Sequence, residues 1–392
     1  MSALPIIILG GGIGGLATAL SVARAGHQTI VLEQAETFEE IGAGIQLGPN
    51  GFRALRELGL DGEAMKLGVF PSELVFMDSV AGTRITTIPT GEAFQDRFDY
   101  PYALIHRADL HRVLLSAVEK EPAIELRPGV RISHIEEGSV VSVTTDDGQS
   151  FVGAGLVGAD GLWSRTRALV VGDGPPIVSG HIAYRAVLPT EEVPAQLRRN
   201  AMILWGGPKH HLVQYPLRGG ELTNLVAVFH SDKYVEGWNS TGDRDELLYR
   251  FSDACDTVKT LLLKIDAWRM WVLCDREPVK NWSRDNITLV GDAAHPMLQY
   301  LAQGACMALE DAVVLGHYVE AHMDDLPTAF LNYQANRYLR TGRCQVMARV
   351  HGEFYHAQGV KAEMRDHMLS SRTPEQSYAG LDWLYQAGAL PS

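Results

Sequence analysis

The stretch "IIILGGGIGGLATAL", Ile6–Leu20, decides how the rest of the chain is read. Its first four residues, Ile6–Leu9, form a short apolar run of the kind that makes a strand buried on both faces. Gly10, Gly12 and Gly15 follow at GxGxxG spacing, and from Ile13 to Arg24 small and apolar residues recur at helical spacing. A strand that turns on glycines into a helix suits a dinucleotide. Gly10 permits the tight turn, Gly12 lets backbone approach a pyrophosphate, and Gly15 lets the helix pack close to the sheet. The helix N-terminus attracts the phosphate charge. Thr29–Leu32 is a second β-branched run, and Glu33 ends it, where a carboxylate can accept hydrogen bonds from ribose hydroxyls. NAD and FAD share this fingerprint, so the glycines leave the choice open.

Composition narrows the class. With 392 residues the chain is long enough for two or three domains and at least one large core. The 34 Lys+Arg against 47 Asp+Glu leave a net charge of −13, which argues against nucleic acid or an anionic membrane as partner. Cys255, Cys274, Cys306 and Cys344 lie far apart without a CxxC pair. They fit a reducing compartment, the cytoplasm, better than a disulfide framework or a zinc site, and no metal is expected. Leu4–Ala23 carries no charged residue, enough length to consider a membrane span. The glycines that interrupt it, and the lack of a preceding Lys or Arg, argue against both a span and a signal peptide.

Along the chain, Phe52–Leu58 and Arg107–Val118 read as helices, and residues 124 to 157 as a set of strands with a hairpin turn at Asp146-Asp147-Gly148. From residue 177 to 279 helical periodicity fades. Tyr184–Leu188, Met202–Trp205, His211–Pro216 and Asn224–Phe229 suggest a sheet-rich region, with one helical stretch at Asp245–Leu263. Ile287–Val290 returns to the buried-strand type, and Gln303–Tyr318 and Thr328–Val350 read as long helices. The expected architecture is α/β: a discontinuous Rossmann-like nucleotide domain (1–72, 100–176 and 280–345) with an inserted sheet-rich substrate domain (73–99 and 177–279). A C-terminal helical segment, 346–392, completes it.

"LVGDAAHP", Leu289–Pro296, ends an apolar run on Asp292. FAD has a ribityl chain of hydroxyls, and an aspartate at a strand end suits it. The helix starting near Gly304-Ala305 could aim N–H groups at a flavin ring, where negative charge appears on reduction. An ordinary helix cap is the structural alternative for Asp292. "GADGLWSRTR", Gly158–Arg167, supplies a third motif. With it the chain resembles the single-component FAD-dependent aromatic hydroxylases, the p-hydroxybenzoate hydroxylase-like group. They carry GxGxxG, then DGxxSxxR, then GD; here Gly10–Gly15, Asp160-Gly161 with Ser164 and Arg167, and Gly291-Asp292. The resemblance spans roughly residues 4 to 345. It implies bound FAD, NADH as transient co-substrate, O2, and a homodimer, with Asp160 bordering both FAD and the nicotinamide nucleotide. It places Arg107 ("HRADL") near the ribityl–pyrophosphate part, and Val130 ("GVRISHI") on a strand whose backbone meets adenine. It further implies that Gln34 joins Glu33, that Gly304 and Ala305 meet the flavin, and that the loop Ile41–Asn50, with Ala43 and Gly44, lies against it.

In "GPKHHLVQYPLRGGE", Gly207–Glu221, alternation along a strand puts His211, Val213 and Tyr215 on one face, while Lys209, His210 and Arg218 read as exposed. This segment, "HPMLQYLAQG" with Gln299 where many relatives have proline, and "DREPVKNW" resemble the family members that act on 3-hydroxybenzoate. That implies His211 and Gln299 bonding the substrate hydroxyl and Tyr215 orienting the ring. Oxygen would enter para to the hydroxyl, through a C4a-hydroperoxide, to give gentisate. Ionising a phenol of pKa roughly 10 at pH 7 costs about 4 kcal/mol, so the protein must lower that cost. Salicylate or 6-hydroxynicotinate is the alternative ring, and a flavin reductase without oxygen insertion the alternative chemistry. His295-Pro296 reads as shaping the flavin pocket, Cys306 as packing, and Trp268, Trp271 and Trp282 as filling core or interface.

Overall fold

The computed structural model describes residues 4–39, 42–231, 240–386 and 390; Ile41, at the start of the flavin-loop stretch, lies outside them. Ile6–Leu9 is the centre of a six-stranded sheet ordered Ser283–Arg284, Ile287–Leu289, Gly155–Gly158, Ile6–Leu9, Thr29–Leu32, Ile124–Arg127. All neighbours run parallel except the Ser283–Arg284 edge. Both faces are covered, and Ile6, Ile7 and Ile8 are fully buried, which is why the run has no polar alternation. The helix Ile13–Arg24 packs on the helix Gly304–Ala321 through small residues. A side chain at Gly316 would put Cβ 2.0 Å from Ser21 Oγ, so only glycine permits this approach.

A second, eight-stranded sheet is ordered Ser240–Thr241, Arg269–Asp275, Ile177–Pro189, Leu222–His230, His210–Leu217, Ala201–Gly207, Glu73–Asp78, Arg84–Pro89. Its strands have two different faces. Leu212 and Trp205 pack into one core with Phe251 and Leu261, while Val213 and Tyr215 pack into another with Tyr300 and Met307. The four strand signals of the sheet-rich region all fall inside observed strands, which are longer; Tyr184–Leu188 lies within the thirteen-residue strand Ile177–Pro189. The helix expected over Asp245–Leu263 is two helices, Arg244–Arg250 and Asp256–Leu262. Asp243 caps the first through Asp245 and Glu246, and the chain is redirected between them so that Phe251 and Ala254 also reach the core.

The long helix Leu326–Tyr355 carries the charged heart of the molecule. Its buried Arg337 donates to Asp311 Oδ1 at 2.8 Å and to Glu310 Oε2 at 2.6 Å, both on the Gly304–Ala321 helix. Asp311 Oδ2 also takes the Gly291 N–H (2.9 Å) and His295 Nε2 (2.5 Å). Burial alone would raise the Asp311 carboxyl; His295 and Arg337 outweigh it and hold it down at about 2. The lowered value makes Asp311 a source of stability above the ordinary carboxylate pKa, lost as pH falls towards 2. Asp311→Ala leaves the buried Arg337 with Glu310 alone and strips the Gly291 N–H and His295 of their buried acceptor. Chemical denaturation should show a loss of about 3 kcal/mol or more, and an unchanged denaturation midpoint would contradict this role.

Candidate active site

Gly10, Glu33, Asp160 and Asp292 all lie just past the carboxyl ends of neighbouring parallel strands. The ladder continues into these turns: Gly10 N–H bonds Leu32 O (2.9 Å), Ala159 N–H bonds Leu9 O (2.8 Å) and Val290 N–H bonds Gly158 O (3.0 Å). Three motifs far apart in sequence thus open onto one crevice, the place where open parallel sheets bind ligands.

Two fingerprint positions of the glycine turn admit no side chain. Gly10 has φ of 110°, and a Cβ there would sit 2.3 Å from Ala159 O; one at Gly15 would sit 1.9 Å from Gly10 O. Gly12 starts the helix with no side-chain cap. Glu33 accepts Gly11 N–H at 2.7 Å and Ala35 N–H at 2.8 Å, which fixes the carboxylate beside the turn. A carboxylate has about four acceptor positions, so capacity for hydroxyls remains. Gln34 is exposed in the following bend. Val130 donates its N–H to Glu33 O at 2.8 Å, next to the expected adenosine end. It lies in the turn before Ile132–Glu136 rather than on a strand, because the Gly129 turn carries the chain out of the parallel sheet.

Asp160 accepts the Ser164 hydroxyl (2.5 Å) and the Thr166 N–H and hydroxyl (both 3.1 Å), shaping the start of the helix Arg165–Val170. The arginine of the same motif goes further. Arg167, fully buried, donates to Ala293 O (3.0 Å) and Ala294 O (2.6 Å) and pairs with Asp173 at 2.7 Å. It clamps the DG motif to the GD turn.

Asp292 is deep in the fold, yet its side chain is open to solvent, the combination expected of a group lining an interior crevice. Burial raises its pKa, while His295 and Arg107 pull the other way, so Arg107 shares the crevice. A Cβ at Gly304 would lie 3.9 Å from Asp292 Oδ1. The Gly304–Ala321 helix begins there with no side-chain cap and no acid in its first turn, and Ala305 is half-buried beside it. Eighteen residues of helix dipole therefore point at the crevice beside Asp292.

The opposite wall comes from the strand Gly44–Leu47. Ala43 O takes the Arg107 N–H (2.8 Å), and Gly44 donates to Asn224 Oδ1 (2.9 Å). Tyr215, cross-strand neighbour of Asn224, packs so close that a Cβ on Gly44 would meet its hydroxyl at 2.7 Å. Beyond Ala43 opens a cleft of about 430 Å³ lined by Arg185, Lys264 and Trp271, among others. Arg185 lies over the Trp271 ring at 5.4 Å and bonds Gln299 Oε1. With its oxygen engaged, Gln299 has its NH2 left to donate elsewhere.

His211 is buried on the face shared with Val213 and Tyr215, its ring 5.5 Å from that of Tyr300, the residue after Gln299. Burial and the neighbouring His210, His181 and His230 push its pKa down to about 3, so the imidazole is neutral at working pH. Nδ1 shares a 2.7 Å hydrogen bond with His356 Nε2; Nε2 bonds no protein group among the described residues. Burial raises the Tyr215 and Tyr300 phenols, so neither acts as a base. His210 corrects an expectation: it is buried and shares a 2.8 Å bond with Ser79 Oγ, because it faces the opposite core from His211. Lys209 and Arg218 are exposed, Cys306 is buried, and Trp268 and Trp282 are core, while Trp271 lines the cleft. Sequence reading missed Arg185, Asn224 and His356. Of these only Asn224, an amide inside the apolar run "LTNLVAVF", carried a visible signal.

A family profile described as FAD binding domain matches residues 3–343. The 3-hydroxybenzoate 6-hydroxylase of Polaromonas naphthalenivorans (strain CJ2) is 45% identical, covering 97% of this chain and 96% of the relative. That of Klebsiella oxytoca is 46% identical with the same coverage. Among solved structures, Klebsiella pneumoniae HpxO complexed with FAD and uric acid superposes with a TM-score of 0.85 at 25% identity, covering 98% of this chain and 97% of the other. No helix among the described residues is long and apolar enough to cross a membrane. With three motifs converging on one crevice and relatives matched along nearly the whole length, the chain belongs to the FAD-binding-domain family of flavoprotein aromatic hydroxylases.

Proposed function

We propose that this protein is an NADH-linked FAD monooxygenase that hydroxylates 3-hydroxybenzoate para to its hydroxyl, giving 2,5-dihydroxybenzoate (gentisate). The observation that carries this reading is His211: a buried, neutral imidazole with one nitrogen bonded inward and the other bonded to no protein group among the described residues. That nitrogen suits a phenolic proton. The relatives named 3-hydroxybenzoate 6-hydroxylase support the choice of ring.

The crevice fits FAD. Gly10 and Gly15 hold the turn tight and Gly12 opens the helix where a pyrophosphate would sit; Glu33 and Gln34 would hold the adenosine ribose with Val130 beside adenine, and Asp160, Arg107 and Asp292 would meet the middle of the cofactor. Gly304 and Ala305 would face the flavin ring across from Ala43 and Gly44. When bound and reduced by NADH, FAD supplies electrophilic oxygen from O2. The protein's own part is to make the substrate ring electron-rich. His211 takes the phenolic proton, Gln299 donates its amide N–H to the resulting phenolate, and Tyr215 orients the ring. Arg185, next to Gln299, is the cation suited to the substrate carboxylate. We further propose a cytoplasmic homodimer, joined where Val360, Met364 and Met368 form an exposed apolar stripe on one helix; a solution mass near 43.0 kDa rather than twice that would contradict it.

Asp292→Ala removes an acceptor from the middle of the crevice. The purified variant should be largely colourless, and full flavin absorbance per chain would overturn the assignment. His211→Ala should keep FAD yet lower 3-hydroxybenzoate-dependent NADH oxidation about 100-fold, with partial recovery as pH rises and the substrate ionises unaided. Parental turnover and pH profile in that variant would remove His211 from the reaction.

A further inference from the structure

His211 does not end the polar path that begins at the substrate pocket. Its Nδ1 shares a 2.7 Å hydrogen bond with His356 Nε2, and His356 Nδ1 shares a 2.9 Å bond with His230 Nε2. Every link joins one ring nitrogen to one ring nitrogen, so three neutral imidazoles, each with a single N–H, satisfy the chain in one direction or the other. His211 and His356 are buried; His230 is half-buried, at the last position of its strand. The path therefore runs from an interior pocket towards the surface.

The framework holds this alignment. His356 follows the helix Leu326–Tyr355 as its C-terminal cap, and its carbonyl takes the Lys209 N–H at 3.2 Å; Lys209 O takes the His230 N–H at 3.0 Å. His181 packs tilted against His230 with ring centroids 4.2 Å apart, and its Nδ1 shares a 2.6 Å hydrogen bond with the Tyr300 hydroxyl.

We propose that His211, His356 and His230 form a proton relay that carries the substrate's phenolic proton between the active site and solvent. This rests on the reading of His211 as the proton acceptor. The balance closes at every atom. The substrate O–H bond breaks and its proton goes to His211 Nε2, and the Nδ1 proton of His211 passes to His356 Nε2. The Nδ1 proton of His356 passes to His230 Nε2, and His230 Nδ1 releases its proton to water. Each ring ends neutral with its proton on the other nitrogen, and His211 then presents Nε2–H to the phenolate oxygen. When the product regains its hydroxyl proton, the same transfers run backwards and restore the starting tautomers.

Charge is kept off the relay throughout. Burial lowers the pKa of all three imidazoles, to about 3 at His211, so none holds the proton it passes on. The rings packed against the buried pair are His181, Tyr300 and Tyr355, all neutral near pH 7, while His210 lies on the far side of the sheet. At the outer end burial lowers the pKa of His230; Glu353 opposes it, and Lys209 and Arg250 offset Glu353 in part or whole.

The test uses the FAD-loaded protein, 3-hydroxybenzoate and a pH-indicator dye in stopped flow, reading proton release on substrate binding to the oxidised enzyme. His356→Gln and His230→Gln are the variants. The expected result is release slowed about tenfold or more in both, with the substrate dissociation constant little changed, and recovery of His230→Gln with added imidazole. Release at the parental rate in both variants overturns the relay, as does slowing in His230→Gln that neither imidazole nor buffer concentration alters. If His356→Gln does not fold, the half-buried His230 variant decides alone. No substrate-linked release in the parent protein would instead remove the reading of His211, and the relay with it.

Discussion

The crevice depends on one buried carboxylate. Asp311 takes the Gly291 N–H, His295 and Arg337 at once, and so joins the GD turn, the helix Gly304–Ala321 and the helix Leu326–Tyr355 at a single point. Gly291 needs φ of 59°, a conformation few residues other than glycine accept, and the Asp311 bond to its N–H holds it there. That turn sets where Asp292 stands relative to the N-terminus of the Gly304–Ala321 helix. Glu310 extends the network through Arg337, Arg340 and Asn50, the last bonded in turn to Gln303 at that N-terminus. Each buried charge has an opposite partner, which is the condition for such a cluster to stabilise rather than disrupt.

Much of the nucleotide-binding half was legible in the sequence because its constraints are local. A glycine that cannot carry a Cβ, or an acid that must end a strand, leaves a mark within a few residues. Gly10, Gly15, Glu33 and the Ile13–Arg24 helix could therefore be read with little context. What stayed hidden is long-range. The clamp from Arg167 to the Ala293 and Ala294 carbonyls spans 126 and 127 positions, and the bond from Gly44 to Asn224 spans 180. No periodicity encodes such pairs.

The sheet-rich region shows the same division on a smaller scale. Alternation along His210–Leu217 puts His211 and Tyr215 on one face, and the two cores that sandwich the sheet follow it. Its weakness appears one residue earlier, where His210 looked like a surface histidine. In a sheet covered on both faces, the residue pointing away from the pocket points into another core. The residues after about 350 had no readable role, yet they supply His356, which reaches His211 only because a thirty-residue helix returns the chain to the sheet. Sequence distance and chemical distance part company most where helices are long.

The central claim is that one atom of O2 enters the ring of 3-hydroxybenzoate para to its hydroxyl. The most direct measurement is aerobic turnover of the FAD-loaded protein with NADH, 3-hydroxybenzoate and heavy-oxygen-labelled O2, with products resolved by retention and mass. The account predicts gentisate carrying a single labelled oxygen atom at the new hydroxyl. Gentisate without the label, or NADH oxidation that yields hydrogen peroxide and leaves the ring intact, would contradict it.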